Sequence, residues 1–338
     1  FGSERDKYYK LLKKNGFEVF AIGNSKILVF KMILNLGKLI IKIKPTHIQT
    51  WLYHADLLGG IVAKFLGFKN IFWSIRHSNL TYGTIKNSTF LIAKLCAILS
   101  YFIPKKIISC SNTALISHKS FGYDSSKFHV VPNGFVFKKN IDVEEKSYRK
   151  ILKIPNNMFL IGNVARFDPQ KDHINLIKAL GIVKRKNYSF HCLLAGKEID
   201  SNNKLIVDCI KDNGLINNIT LLGYQDNIPN IMQSLDLHLL SSLGEAFPNV
   251  LVEAMAYGAL CVSTNVGDSA MILNSNGWIA EPQNENSLAN EVCKAMDLYN
   301  NDQEMWLEKK KIASDHVKKS FSIKKTYEGY YNIWNNKP

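Results

Sequence analysis

Residues 235–263, LDLHLLSSLGEAFPNVLVEAMAYGALCVS, decide the fold class. Leu235–Leu240 is a short apolar run that reads as a buried strand, and a small polar loop follows it. A helix then opens near Pro248 and stops at Gly258, with proline in the first turn and glycine past the last one. Leu260–Ser263 is a second apolar run. Two buried strands joined by a crossover helix predict a parallel pair, since antiparallel neighbours need only a tight turn.

The same alternation extends outward in both directions. Phe159–Val164, Ser189–Leu194 and Ile219–Leu222 read as strands, with helices near 172–186, 202–213, 228–233 and 285–299. Earlier, His47–Leu52, Asn70–Ile75, Lys106–Cys110 and Phe128–Val131 form another strand series, spaced by helical stretches at Leu57–Leu66 and Ser88–Phe102. Residues 4–14 read as a helix stopped by Asn15-Gly16, and Phe17–Ile22 as a short strand. The 338 residues are about twice an ordinary domain. The reading is therefore α/β, with two Rossmann-like doubly wound domains facing a cleft. Residues 1–137 form the first, 138–158 a linker and 159–315 the second. Residues 303–336 read as helical and aromatic-rich, and 316–338 are expected to pack back on the first domain.

Composition narrows the function classes. The formal charge of +15 suits an anionic partner, although a Lys-, Ile- and Asn-rich bias gives the same number. Six scattered cysteines without a Cys-x-x-Cys pair fit reduced, mostly buried thiols better than a disulfide frame or a zinc site. No apolar run reaches the ~18 residues of a membrane span; Thr89–Ile103 is too short and contains Lys94. With no secretory signal, a cytoplasmic protein is expected, at most peripheral on the inner membrane face. In residues 27–43, Lys31, Asn35, Lys38 and Lys42 share one narrow helical face. That suits a helix on a lipid surface, or one packed on a sheet and showing water a thin polar stripe.

Two segments carry chemistry. In the first, Glu245 stands at a helix mouth and Glu253 eight residues on; a helix amino terminus attracts anions, and carboxylates beside it can accept from sugar hydroxyls. By itself, Glu253 equally suits a helix salt bridge. The second is IGNVARFDPQK, residues 161–171, a strand followed by a loop with Arg166 and Lys171. An arginine fork and a lysine point charge suit two phosphates. Taken alone, the loop also reads as a solvated basic turn.

The segment EAFPNVLVEAMAYG resembles the E-x7-E region of retaining glycosyltransferase family 4, with Ala246 in place of the usual glycine. IGNVARFDPQK, LLAGKEID (193–200) and ITLLGYQDNIPNIMQSLDLHLLSS resemble further family elements in the same order, covering nearly all of 159–299. The family's usual Gly-Gly is Gly267-Asp268 here, and its usual Glu near Ala270 is missing. The amino-terminal half matches more sparsely: Gly2-Ser3-Glu4-Arg5 resembles the tail of a glycine loop, and VPNG (131–134) a strand-ending turn. On that alignment a first strand lies upstream of Phe1, the amino terminus is incomplete, and the chain as given is expected to fold poorly.

The resemblance implies transfer of a sugar from a nucleoside-diphosphate sugar to an acceptor hydroxyl with retention of configuration. Arg166 and Lys171 would hold the diphosphate, Glu253 the ribose and Glu245 the transferred sugar. Phe247, Pro248, Asn249 and Val250 line the donor side. His77, in WSIRHSN, is a catalytic candidate near the reacting sugar, or else a structural loop histidine; Arg76 and Gly2 are candidates on the acceptor side. No cofactor or metal is expected, since the cations can stabilise the leaving group and no Asp-x-Asp stands in a metal-binding position. The preferred acceptor is a lipid-linked saccharide of bacterial surface-polysaccharide assembly, met at an anionic membrane; a soluble one remains open. Two other classes compete: a sugar-nucleotide epimerase of the same architecture, which would act on donor alone, and a non-catalytic basic binder. Nucleic acid is not expected, because charge is its sole supporting feature.

Overall fold

The computed structural model describes residues 7–22, 29–78, 80, 86–137 and 148–336. Its first lobe runs α1 (Lys7–Lys14), α2 (Val29–Ile43), β1 (Ile48–Gln49), α3 (Tyr53–Phe65), β2 (Ile71–Ile75), α4 (Asn87–Leu99), β3 (Lys106–Ser109), α5 (Asn112–Phe121) and β4 (Phe128–Val130). The second continues with α6 (Tyr148–Ile151), β5 (Phe159–Val164), α7 (His173–Arg185), β6 (Phe190–Ala195), α8 (Lys204–Asp212), β7 (Ile219–Gly223), α9 (Ile228–Ser234) and β8 (Leu237–Leu240). It ends with α10 (Asn249–Ala256), β9 (Leu260–Thr264), α11 (Ser269–Leu273), β10 (Trp278–Ala280), α12 (Glu285–Asn301), α13 (Gln303–Ser320) and α14 (Ile323–Trp334).

Every strand pair described is parallel. The sheet orders are β1-β2-β3-β4 and β10-β9-β8-β5-β6-β7. The apolar run of β2 is buried throughout, as a strand covered on both faces must be. In the second sheet the chain builds β5-β6-β7 in one direction and then returns to place β8 on the other side of β5. The order reverses between β5 and β8, and a crevice opens beyond their carboxyl ends at such a switch point. Arg166 and Lys171 follow β5, and Glu245 follows β8.

The lobes are tied by more than the connecting chain. The peptide of Phe135 exchanges hydrogen bonds with Phe321 and Ile323, at 2.8 and 3.0 Å. Beyond that crossing, α14 leaves the second lobe and covers the first sheet. There Tyr330 packs with Ile108 and Val131, and the Trp334 indole donates to Gln49 Oε1 at 3.1 Å.

Several expectations need correction. Residues 17–22 form no strand: Phe17 and Phe20 are exposed, and among the described residues no neighbour pairs with them, without which an extended segment gains nothing. The carboxyl-terminal helical stretch is two helices broken at Phe321-Ser322, so the change of lobe falls there rather than at 316. The later part of the 138–158 linker belongs to the second lobe, where Arg149 pairs with Asp236 at 2.5 Å and the Tyr148 amide donates to Ser234 at 3.0 Å. Helix α2 shows water far more than a polar stripe, since Phe30 and Ile41 are exposed and Ile40 is its one buried residue.

Candidate active site

The switch-point crevice gathers charged groups from two loops. After β5, Asp168 starts a 3-10 turn (Pro169–Lys171) by accepting from the Gln170 amide at 2.9 Å. That turn aims Lys171 across to the β8 loop, where its Nζ meets Glu245 Oε1 at 2.5 Å. Two further bonds fix the two loops together, Leu243 N to the Gln170 carbonyl at 2.8 Å and Ser241 Oγ to the Lys171 carbonyl at 2.7 Å, and within the β8 loop Ser242 Oγ donates to Glu245 Oε1 at 2.8 Å. Sequence reading did not single out Ser241, Ser242 or Asp168. The signal present was Asp168-Pro169, an oxygen acceptor ahead of a proline, which is turn-starting chemistry.

Arg166 lies on the same loop, but its guanidinium is turned onto its own Asp168, at 2.7 and 3.1 Å, with the side chain 64% exposed. An exposed pair of this kind is worth little, so the arginine can change partners at small cost.

Glu253 sits one turn into α10. Burial pushes its carboxyl pKa up from the ordinary carboxylate range. It faces a cleft of about 530 Å³ between the lobes, together with Trp51, Arg76, Asn133 and Asn249. Arg76 donates to the Asn133 side-chain oxygen and to Tyr330 Oη, while Asn133 Nδ2 donates to Asn249 Oδ1 at 2.9 Å. Asn133 is thus a bridge from the first lobe to the opening of α10, a role its reading as turn chemistry did not contain.

His77 is half-buried at the end of β2; burial lowers its imidazole pKa, and the negative charge of Glu245 opposes that shift. The neighbouring Ser78 hydroxyl donates to the Glu245 carbonyl, so the β2 end of the first lobe touches the β8 loop of the second. Gly2 lies outside the described residues. Phe247, a donor-side candidate, turns its ring inward. It is buried, edge-on to Phe321 with ring centroids 5.4 Å apart, because a phenyl ring gains more inside the core than at a polar mouth. Pro248 is buried too and precedes α10 as its cap rather than opening its first turn, while Val250 packs partly against the core. Among the described residues no group of three His, Cys, Asp or Glu could hold a metal ion, and no helix is long and apolar enough to cross a membrane.

Residues 115–312 match the family described as glycosyl transferases group 1. The chain belongs to that family. This glycosyl transferase is 27% identical, over 79% of its length and 70% of the relative's, to the UDP-Gal:α-D-GlcNAc-diphosphoundecaprenol α-1,3-galactosyltransferase of Escherichia coli. It is 24% identical over 79% of its length to CapM, a capsular polysaccharide biosynthesis glycosyltransferase of Staphylococcus aureus, covering 71% of that protein. Among solved structures, Anabaena HepE in complex with UDP and glucose superposes with a TM-score of 0.81 at 20% identity, over 98% of this chain and 89% of that one. A glycosyltransferase from Rickettsia africae gives 0.82 at 22%, over 98% and 88%. The transferase thus has the two-lobed glycosyltransferase fold expected from its alternating strands and helices.

Proposed function

We propose that this glycosyltransferase moves a sugar from a nucleoside-diphosphate sugar to a lipid-linked saccharide during assembly of a bacterial surface polysaccharide, with retention of configuration. The observation that carries the reading is the meeting of Lys171 and Glu245 at the β5–β8 switch point, beside Arg166 and the opening of α10. Two cations within one loop suit a diphosphate leaving group, whose developing charge they neutralise most strongly in a crevice shielded from water. Lys171 exchanges Glu245 for the diphosphate when donor binds, and Arg166 leaves Asp168 in the same way. Glu245 is then free for the transferred sugar and Glu253 for the ribose hydroxyls. His77 faces the reacting centre from the acceptor lobe, with Arg76 farther along the cleft. The protein groups position the reactants and stabilise the leaving group, and the transfer needs no metal.

The acceptor class is supported by the surface of the first lobe. Helices α2, α3 and α4 pack side by side. They expose Phe30, Leu34, Phe65, Leu91 and Ile98 among the exposed lysines Lys31, Lys38, Lys42, Lys64 and Lys94. Exposed apolar side chains and lysines on the same helices suit an anionic bilayer, to which each cation adds ~1 kcal/mol. The relatives from Escherichia coli and Staphylococcus aureus, named for a diphosphoundecaprenol-linked substrate and for capsule biosynthesis, support the same reading.

The test is a panel of nucleoside diphosphates and nucleotide sugars scored by thermal shift. The stabilising donor is then incubated with polyprenyl-diphosphate saccharides in the presence of EDTA. Transfer of the sugar to lipid, with the anomeric configuration retained by NMR, is expected. A new nucleotide sugar formed from donor alone would establish an epimerase instead.

A further inference from the structure

The loop after β9 departs from the family pattern at Asp268, where the second of two glycines is usual. The preceding Gly267 has φ +55°, and a Cβ there would lie 2.5 Å from the Ala246 carbonyl oxygen and 2.6 Å from that of Glu245. The β9 loop is therefore pressed directly onto the stretch carrying Glu245. The Asp268 amide adds a bond to the Ala246 carbonyl at 3.1 Å.

The side chain of Asp268 points the other way. Although it precedes α11, it makes no capping bond to that helix. It crosses to the other lobe, where its carboxylate accepts from Asn112 N at 2.8 Å, Thr113 N at 3.0 Å and Thr113 Oγ1 at 2.8 Å. These are the first two amides of α5, which no intrahelical carbonyl can satisfy; the next, Ala114 N, is taken by the cap residue Ser111. Asp268 is 4% exposed. A carboxylate so enclosed is stable while its donors stay in place, and parting the lobes would strip it of all three together.

We infer that Asp268 is a positioning residue, which sets the two lobes in register and holds the Glu245 loop against the first lobe. The inference deepens the proposed transfer and rests on it for its meaning, but not for its test. One residue links two parts: its backbone holds the Glu245 loop, and its carboxylate holds α5, in the lobe that carries His77. The Ser78 hydroxyl on the Glu245 carbonyl closes the same contact from the other side. Charge-assisted hydrogen bonds of this kind are each worth on the order of tenfold in an equilibrium constant. Losing all three therefore lowers the closed-to-open ratio by roughly tenfold to a thousandfold, according to how far their contributions add.

The experiment begins without substrate. Small-angle scattering is recorded on the wild type, Asp268→Asn, Asp268→Ala and Asp268→Gly, the last restoring the residue usual in the family. A larger radius of gyration in all three variants is expected, and wild-type scattering from variants that remain folded overturns the inference. Amide hydrogen exchange of the wild type gives a reading that needs no variant: Asn112 and Thr113 are expected to be protected, and exchange at free-peptide rates overturns it. With UDP as the probe, the variants are expected to keep the wild-type affinity within a factor of two to three. Where sugar transfer is observed, they lose on the order of tenfold in kcat with little change in donor KM. Loss of UDP affinity with unchanged scattering would make Asp268 a donor contact and overturn the positioning role. Absence of sugar transfer in the wild type would overturn the proposed function, while the scattering and exchange results would still decide the role of Asp268.

Discussion

Lys171 Nζ lies 2.5 Å from Glu245 Oε1, joining the loop after β5 to the loop after β8 across the point where strand order reverses. The lysine proposed to grip a diphosphate is thus paired with the carboxylate proposed to meet the sugar. The two substitutions therefore separate in their effects. Lys171→Ala is expected to weaken UDP binding on the order of 10- to 100-fold, the cost of a lost charge-assisted bond. Glu245→Gln removes the competing anion, so UDP is expected to bind at least as tightly while kcat falls on the order of 100-fold. Calorimetry with UDP alongside donor turnover distinguishes them, and weaker UDP binding to Glu245→Gln would contradict this exchange of partners.

Arg166 tests geometry rather than charge. Its guanidinium already makes two bonds to Asp168, and the same fork suits two phosphate oxygens. Arg166→Ala is expected to abolish most of the UDP thermal shift, and Arg166→Lys to recover little of it. Full recovery by lysine would show that a point charge suffices.

Gly134 stands where the two lobes meet, and a Cβ there would strike Thr326 Oγ1 and come within 2.6 Å of Ile323 Cα. The backbone of α14 cannot yield as a flexible side chain would. Gly134→Ala is expected to cost about 1–3 kcal/mol, measured by urea unfolding, while Gly67→Ala, where a Cβ meets open space at positive φ, should show the smaller cost of backbone strain alone.

Stability should peak near pH 6.5. Burial pushes His118 and His173 down to about 4 and His238 to about 3. The unfolded chain protonates these imidazoles near pH 6.5, so acid favours unfolding below that value. Asp56 has the opposite sign: burial raises it to about 8, opposed by the bond from Thr50 Oγ1 at 2.5 Å, and the native state keeps that proton up to pH 8. With these histidines held neutral, the unfolded state binds more protons than the native one between pH 6.5 and pH 4, and stability falls as acid is added. Between pH 6.5 and 8 the aspartate works in the opposite sense, and its contribution to stability falls as pH rises. Thermal melts across pH 4–9 check both limbs; His238→Leu should flatten the acid one and Asp56→Asn the alkaline one. A melting temperature rising steadily from pH 6.5 to 8 would refute the assignment of Asp56.

Much of the second lobe could be read from its residues. Phe159–Val164 is a strand over the range its apolar run suggested, and the α10 helix starts and stops beside Pro248 and Gly258, because each of these signals is local. Failures occurred where a distant partner decides the outcome. Phe17–Ile22 has strand-like composition but no described neighbour to pair with. The packing of the Phe247 ring on Phe321, 74 residues later in the chain, was likewise outside what its motif could tell.

The sequence by itself determined the alternating α/β order, the parallel sheets and the loops on which Arg166, Lys171, Glu245 and Glu253 stand, since periodicity and turn chemistry act over a few residues. Only the tertiary structure decided whom these side chains meet: Lys171 with Glu245, Asn133 with Asn249 and Asp268 with the first turn of α5. Hydrogen bonds and ion pairs require approach within about 3 Å. For groups so far apart in the chain, that approach exists only after the sheets have formed and the lobes have packed together.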